Sequence, residues 1–156
     1  MSVKPVEPAD ASLVVDFLNT VDIEKSGDLL TEPHLWQRWA AEHGLHPGPL
    51  PTAQQARDAL RASIGDPRPR SADARAAVHV EVTPEGPALV ADNAVGAVLA
   101  AAARIAIRGH WRRMKICPAD DCLWAFYDHS RNRSRTWCSM SVCGNREKAR
   151  AWRGRR

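Results

Sequence analysis

Residues 115–153 read KICPADDCLWAFYDHSRNRSRTWCSMSVCGNREKARAWR. The stretch holds all four cysteines of the chain, as Cys117-x4-Cys122 and Cys138-x4-Cys143 with fifteen residues between the pairs. Each pair closes a tight loop that aims two sulfurs at one centre, and the insert returns the chain with the second pair. Zn²⁺ takes four ligands in a tetrahedron, with sulfur at roughly 2.3 Å. The x4 spacing is looser than the common x2 but lies within the range of zinc loops. Two disulfides or four buried thiols are the competing readings. Disulfides belong to oxidising compartments. The opening MSVKPVEPAD has no apolar run and no cleavage signal, which predicts a reducing, cytoplasmic setting. Four scattered core cysteines would not be expected to form two equal pairs. Four thiolates leave no open coordination position, so the expected ion is structural rather than catalytic.

The surroundings of the cysteines are basic. Arg131, Arg133 and Arg135 alternate with Asn132 and Ser134, and Arg146, Lys148, Arg150, Arg153, Arg155 and Arg156 follow the last cysteine. Residues 123–127, LWAFY, predict a short strand, with residues 135–137 as its hairpin partner. From Cys143 onward Glu147, Lys148, Ala149, Arg150 and Ala151 favour a helix. Arg146, Arg150 and Arg153 fall on one face of it, and Trp152 lies off that stripe, placed to dock back on the hairpin. A zinc loop, a hairpin and a helix starting at the second cysteine pair predict a treble-clef-like finger.

Cys143-Gly144-Asn145-Arg146 spells CGNR, and together with the preceding SRNRSRTWCSMSV it closely resembles the CGNR zinc-finger family of bacterial proteins. The match covers about the last forty residues. The resemblance implies that the finger follows an N-terminal domain called ABATE, in proteins described as candidate stress-induced transcription regulators. Residues 13–20, LVVDFLNT, look like the opening strand of that domain and its Asn-Thr end. Arg133 and Arg146 belong to the family motif, and an arginine there can brace the finger against Asp120, Asp121 or Asp128. Asn145 can likewise cap the helix.

With 156 residues, 44% hydrophobic and 26% charged, the chain has room for one or two small globular domains. Its net charge of +4 hides an asymmetry: −6 over residues 1–103 and +10 over residues 104–156. An acidic body beside a basic C-terminal third predicts a division of labour. No run approaches the ~18 apolar residues of a membrane span, and no internal repeat stands out. The expected fold is α+β, a small antiparallel sheet with packed helices followed by the four-cysteine finger. The expected domains are residues 1–109 and 110–156.

Along the body, residues 1–10 have no pattern, and residues 13–18 read as a short buried strand broken by Asp16 and ended by Asn19 and Thr20. Asp16 and Asn19 suit turn and cap chemistry, with contact to a ligand or to the other domain as the alternative. Residues 28–45 predict a helix, with Thr31 as N-cap, Pro33 in the first turn, Gly44 as stop, and Trp36 and Trp39 facing the core. His34, His43 and His46 lack a carboxylate partner at helical spacing and do not read as a metal site. Residues 47–51 form a linker turn, and Thr52 to Gln55 has the form of a capping box opening a second helix. Residues 65–71 read as a mobile loop. Residues 77–82 and 87–90 make a hairpin, with residues 13–18 as a third strand of its sheet and His79 on an exposed face. Asp92 or Asn93 caps an alanine-rich helix running from Ala94 to about Arg108, and Gly109-His110 is the expected joint to the finger.

The leading functional expectation is a DNA-binding regulator. Arg146, Arg150 and Arg153 would read bases in the major groove, while Arg131, Arg133, Arg135 and Lys148 would hold the backbone. RNA is the nearest competitor, with Trp124, Phe126, Tyr127 and Trp137 stacking on unpaired bases. A protein-interaction or redox- and ligand-sensing module is the alternative of another class. There the acidic N-terminal domain binds a small molecule or protein, and the finger is a scaffold or thiolate switch. A single short finger is a weak reader, which makes a homodimer plausible. No nucleophile–base pair, carboxylate pair or open metal site suggests an enzyme.

Overall fold

The computed structural model describes residues 9–69 and 73–155. The unpatterned opening, the end of the proline-rich loop at residues 70–72 and Arg156 lie outside the described residues. The chain is α+β, with helices around one core, small antiparallel strand pairs and the cysteines clustered near the C-terminus.

Helix α1 spans Ala9–Leu18 and overturns the expected opening strand. Ala11, Val14, Phe17 and Leu18 are buried, so a helical repeat and not a two-residue alternation aims this segment at the core. LVVDFL is too short an apolar run for local pattern to separate strand from helix. A two-residue strand β1, Val21–Asp22, turns back on β2, Gly27–Asp28. Asp28 caps the following turn, Leu29–Thr31, by accepting from the Leu30 N–H at 2.8 Å, and Glu32 rather than the expected Thr31 stands at the N-cap of the next helix, with no side-chain cap bond. Helix α2, Pro33–Glu42, begins on its proline and stops at Gly44, whose φ of 67° an L side chain resists. Its Trp36 and Trp39 stack at 5.3 Å and meet Phe17 of α1, as expected of core tryptophans.

Helix α3 spans Leu50–Ser63, starting earlier than the expected capping box. Pro49 and Pro51 lead it in, and no side chain caps it. Gln54 and Gln55 donate instead to the Leu30 and Asp73 carbonyls, which pins the neighbouring loops. Strands β3, His79–Thr83, and β4, Gly86–Val90, form the expected hairpin, but α1 adds no third strand to it. Helix α4, Ala94–Ile107, is capped by Asn93, which accepts from the Gly96 N–H at 3.0 Å, and ends at Gly109 with φ 73°. It packs along α1, where Asp10 holds Arg104 at 2.6 Å.

The joint to the C-terminal segment is not a loose hinge. Strand β5, Met114–Ile116, pairs antiparallel with β6, Ala125–Tyr127, and Met114, Ala125 and Tyr127 belong to the same apolar cluster as α1–α4. The expected partner of β6, residues 135–137, lies elsewhere. β5 precedes the first cysteine pair, and the loop between Cys117 and Cys122 acts as the hairpin connection. A wide helical turn, Met140–Gly144, then leads into α5, Asn145–Arg153.

Candidate metal centre

Two tight turns present the sulfurs. In the first, the Cys117 N–H donates to Trp124 O at 2.8 Å, and the Cys122 and Leu123 N–H groups donate to Ala119 O. Leu123 takes φ 49°, costly for a branched side chain. Arg61 of α3, only 1% exposed, secures that backbone: its Nη2 donates to Leu123 O at 2.6 Å, Nη1 to Leu18 O and Nε to Asp66. The Asp66 side chain is wholly buried, so the proline-rich loop is anchored at its start, while Gly65, Pro67 and Arg68 lie at the surface as expected. In the second turn, Ser139 accepts from the Val142 N–H. Gly144 is buried so tightly that a Cβ there would meet Met140 Sδ at 2.6 Å and Trp137 Cδ1 at 3.1 Å. Met140 is half-exposed and its thioether can move aside, so the Trp137 ring is the firmer constraint on the glycine of the CGNR tetrapeptide.

The four ligand atoms lie within 4.8 Å of one another, and Cys138 Sγ is 3.6 Å from both Cys122 Sγ and Cys143 Sγ. Sulfurs at about 2.3 Å from a tetrahedral centre sit about 3.8 Å apart, so the set fits one Zn²⁺. Bonded disulfide sulfurs lie far closer, and all four cysteines are free. Ala119, Phe126 and Trp137 pack around them as a separate small core. Burial pushes the Cys122 thiol up to about 11 and raises Cys138 as well. Such thiols ionise together only when a cation compensates them. Burial also opposes ionisation of Cys143, but donation from Arg146 and the neighbouring thiols outweighs it and lowers its pKa.

The basic residues sort into two groups that sequence does not separate. Arg146 donates to Cys143 Sγ at 3.3 Å and pairs with Glu24 at 3.2 Å and Asp121 at 3.4 Å. Arg150 pairs with Asp121 at 2.8 Å and with Glu147. Its hydrogen bond, with the nearby positive charge of Arg146, holds the Asp121 carboxyl below the ordinary carboxylate range. Arg135 lies over the Phe126 ring at 4.8 Å and donates to the Trp137 and Cys138 carbonyls. These three arginines brace the finger. Arg131, Arg133, Lys148 and Arg153 are exposed, and their side chains meet no acidic group among the described residues. Asn145 donates to Ser141 O and does not cap α5 with its side chain. Trp152 stays 55% exposed.

Asp128 and Lys115 organise the arginine loop; the sequence offered Asp128 as a brace for an arginine side chain, but its partners are Lys115 and two backbone N–H groups. Asp128 is buried and accepts from Lys115 Nζ at 2.6 Å and from the Ser130 and Arg135 N–H groups. Lys115 Nζ also donates to the Arg133 and Arg135 carbonyls. Burial raises the Asp128 carboxyl, but Lys115 and Ser130 more than offset this and hold it at about 2. Phe126 and Tyr127 are buried and cannot stack on bases, which removes half of the expected aromatic platform. The histidines form no metal cluster among the described residues. No described helix is long and apolar enough to cross a membrane.

A family model of the CGNR zinc finger matches residues 113–156. A second, ABATE, described as "Putative stress-induced transcription regulator", matches residues 11–115. A search of curated proteins finds no match. The finger match and the four converging thiols together identify a structural zinc site. The chain belongs to the ABATE family, and it carries a CGNR zinc finger at its C-terminal end.

Proposed function

We propose that this protein is a DNA-binding transcription regulator, in which Cys117, Cys122, Cys138 and Cys143 hold a structural zinc and the finger presents cations to the duplex. The observation that carries this reading is the set Arg131, Arg133, Lys148 and Arg153. All four are exposed on the finger without an acidic partner among the described residues. Arg131 and Arg133 project from the loop that Asp128 and Lys115 hold, so they are positioned before contact. Lys148 and Arg153 project from α5. Arg146 and Arg150 would reach DNA only by giving up Asp121, Glu24 and Glu147, so their role here is to brace. Phosphate neutralisation dominates such an interface and makes it salt-dependent.

The test is a titration of the metal-loaded chain against a pool of random duplex DNA at two salt concentrations. Selected sequences bound more tightly than the pool support a site-specific regulator. Arg131→Ala/Arg133→Ala and Lys148→Ala/Arg153→Ala should each lower the salt slope by about one per lost phosphate contact. Binding no tighter than to an unrelated polyanion, or slopes unchanged in both variants, overturns the reading.

One observation favours ligand sensing as a second reading. A cleft of about 270 Å³, which takes in part of the metal site, lies where the β1–β2 turn meets the finger, lined by Asp22, Glu24, Lys25, Trp124 and Val142 together with Cys122, Cys138 and Cys143. An occupant there would touch the Glu24–Arg146 contact and through it the Cys143 sulfur. DNA binding that responds to a small molecule perturbing Trp124 fluorescence would support both readings at once.

A further inference from the structure

The β3–β4 hairpin stands apart from the core. Among the described residues its strands pair with each other and with no third strand, and none of its side chains joins the main apolar cluster. The register sets Val80 opposite Leu89 and Val82 opposite Pro87, so one face carries Val80, Val82, Pro87 and Leu89. Val80 is 70% and Val82 83% exposed, and Val78 at the entry to β3 is exposed too. Valines at alternate positions on a strand with both faces in solvent are costly in water, and no element among the described residues covers them.

The backbone edge of β3 is open as well. Pro87 has no N–H, so Val82 and Pro87 form a non-hydrogen-bonded pair. By alternation Val80 and Leu89 form another. The N–H and C=O groups of Val80 and Val82 therefore point away from β4, along a free edge. The usual protections of an edge, a proline, an inward charge or a bulge, are absent from His79–Thr83. The outer edge of β4 differs. It carries Pro87, which offers no donor, and its end at Ala91 is pressed against α4 at Gly96.

We propose that the β3 edge is a self-association site, where a second copy of this chain adds its own β3 antiparallel about a two-fold axis at Val80. The proposal is independent of the DNA reading. The strand's own sequence selects this occupant and this register. With the axis at Val80, the outward amides of the two Val80 residues pair with each other, and those of Val78 and Val82 pair across the axis. The valines of both copies then share one face of a four-stranded sheet. On the other face His79 of each copy stands opposite Glu81 of its partner, a complementary pair made twice. His79 already sits 3.2 Å from Asp92 of its own chain, so the added carboxylate extends an existing contact. An axis at Val82 would set Val80 against Pro84, which has no donor. An axis at Glu81 would oppose two carboxylates and set Val78 against Pro84, which has no donor. A five-residue edge is a small interface, so the dimer is expected to depend on concentration in the micromolar range.

Sedimentation velocity of the zinc-loaded full chain, over a series up to high micromolar concentration, tests this. The wild type should pass from monomer to dimer. Val80→Lys, which sets two like charges face to face on the axis, should weaken dimerisation at least about tenfold. Val82→Lys, on the same exposed face, should act in the same direction and guards against one poorly behaved variant. Zinc content and circular dichroism should stay unchanged in both, because neither side chain is in the core. Glu81→Lys should weaken the dimer, and His79→Glu/Glu81→Lys should recover it, since the pair is then complementary again. A wild type monomeric throughout, a dimer that survives both lysine variants, or a double swap that fails to recover association overturns the proposal.

Discussion

The side-chain amide of Asn19 pairs with both backbone groups of Ala125: its Nδ2 donates to Ala125 O at 2.9 Å, and its Oδ1 accepts from the Ala125 N–H at 2.8 Å. A carboxamide has the donor and acceptor of a peptide group, so Asn19 acts as a one-residue neighbouring strand on the free side of β6. It joins the end of α1 to the finger across 106 positions of sequence. Asn19→Asp keeps the acceptor and loses the donor, and Asn19→Ala loses both. We expect a loss of roughly 1–3 kcal/mol for either, read from chemical unfolding, because Ala125 is fully buried and left unpaired.

Arg61 and Asp66 are both buried, and Arg61 also holds the strained Leu123 turn. Removing Arg61 leaves buried Asp66 with Arg68 as its one remaining arginine partner and strips the Leu18 and Leu123 carbonyls of their donor, so Arg61→Ala should cost roughly 3 kcal/mol. Arg61→Lys should recover little, since one ammonium cannot span Asp66, Leu18 O and Leu123 O in the planar fork arginine uses. Asp66→Asn in the Arg61→Ala background should cost much less than in the wild type. A double-mutant cycle with additive terms would contradict the pairing.

Acid should loosen the arginine loop through Asp128. Its carboxyl is held at about 2 in the folded chain against an ordinary value near 3.8. A depressed folded pKa stabilises above the unfolded value, and that contribution is lost as pH falls through the folded one. The stability gap between wild type and Asp128→Asn should therefore be full above about pH 4 and close towards about pH 2. Urea midpoints measured across this range at matched metal loading check it. A gap independent of pH would refute the assignment.

Withdrawing the metal should not unfold the chain evenly. The cysteine core of Phe126 and Trp137 is separate from the core that α1–α4 share with Met114 and Tyr127. Chelation, or Cys138→Ser, should raise amide exchange across residues 117–124 and 137–153 while α1 and α4 stay protected. Structural zinc contributes on the order of 10 kcal/mol in small fingers, enough to make this difference plain. Simultaneous loss of protection in α4 would show that the two cores are one folding unit.

Arg146→Ala and Lys148→Ala should separate bracing from binding. Arg146 touches Cys143, Glu24 and Asp121, so its loss should weaken zinc retention against a chelator. Lys148 touches no acidic group among the described residues, so its loss should leave zinc retention unchanged and lower only the salt slope of DNA binding. The reverse pattern would assign the two roles the other way.

The metal site was legible in the sequence because its information is local. Four cysteines in two equal pairs, the cap at Asn93 and the stop at Gly44 act within a few residues of where they stand. The same is true of the β3–β4 hairpin, the tryptophan face of α2 and the charge division between body and finger. The sequence by itself therefore determined the finger, its ion and the α+β class. Tertiary structure decided what depends on distant partners. Residues 13–18 are a helix because α4 and the tryptophans of α2 take up a helical stripe there. Strand β6 chose β5 and Asn19 rather than residues 135–137, because Met114 and Tyr127 gain the main core by that pairing. Whether an arginine serves as a brace or as a free cation depends on acids that fold beside it, such as Glu24 beside Arg146 and Asp121 beside Arg150. No spacing rule reaches across those distances, because Coulomb attraction and burial act through space and not along the chain.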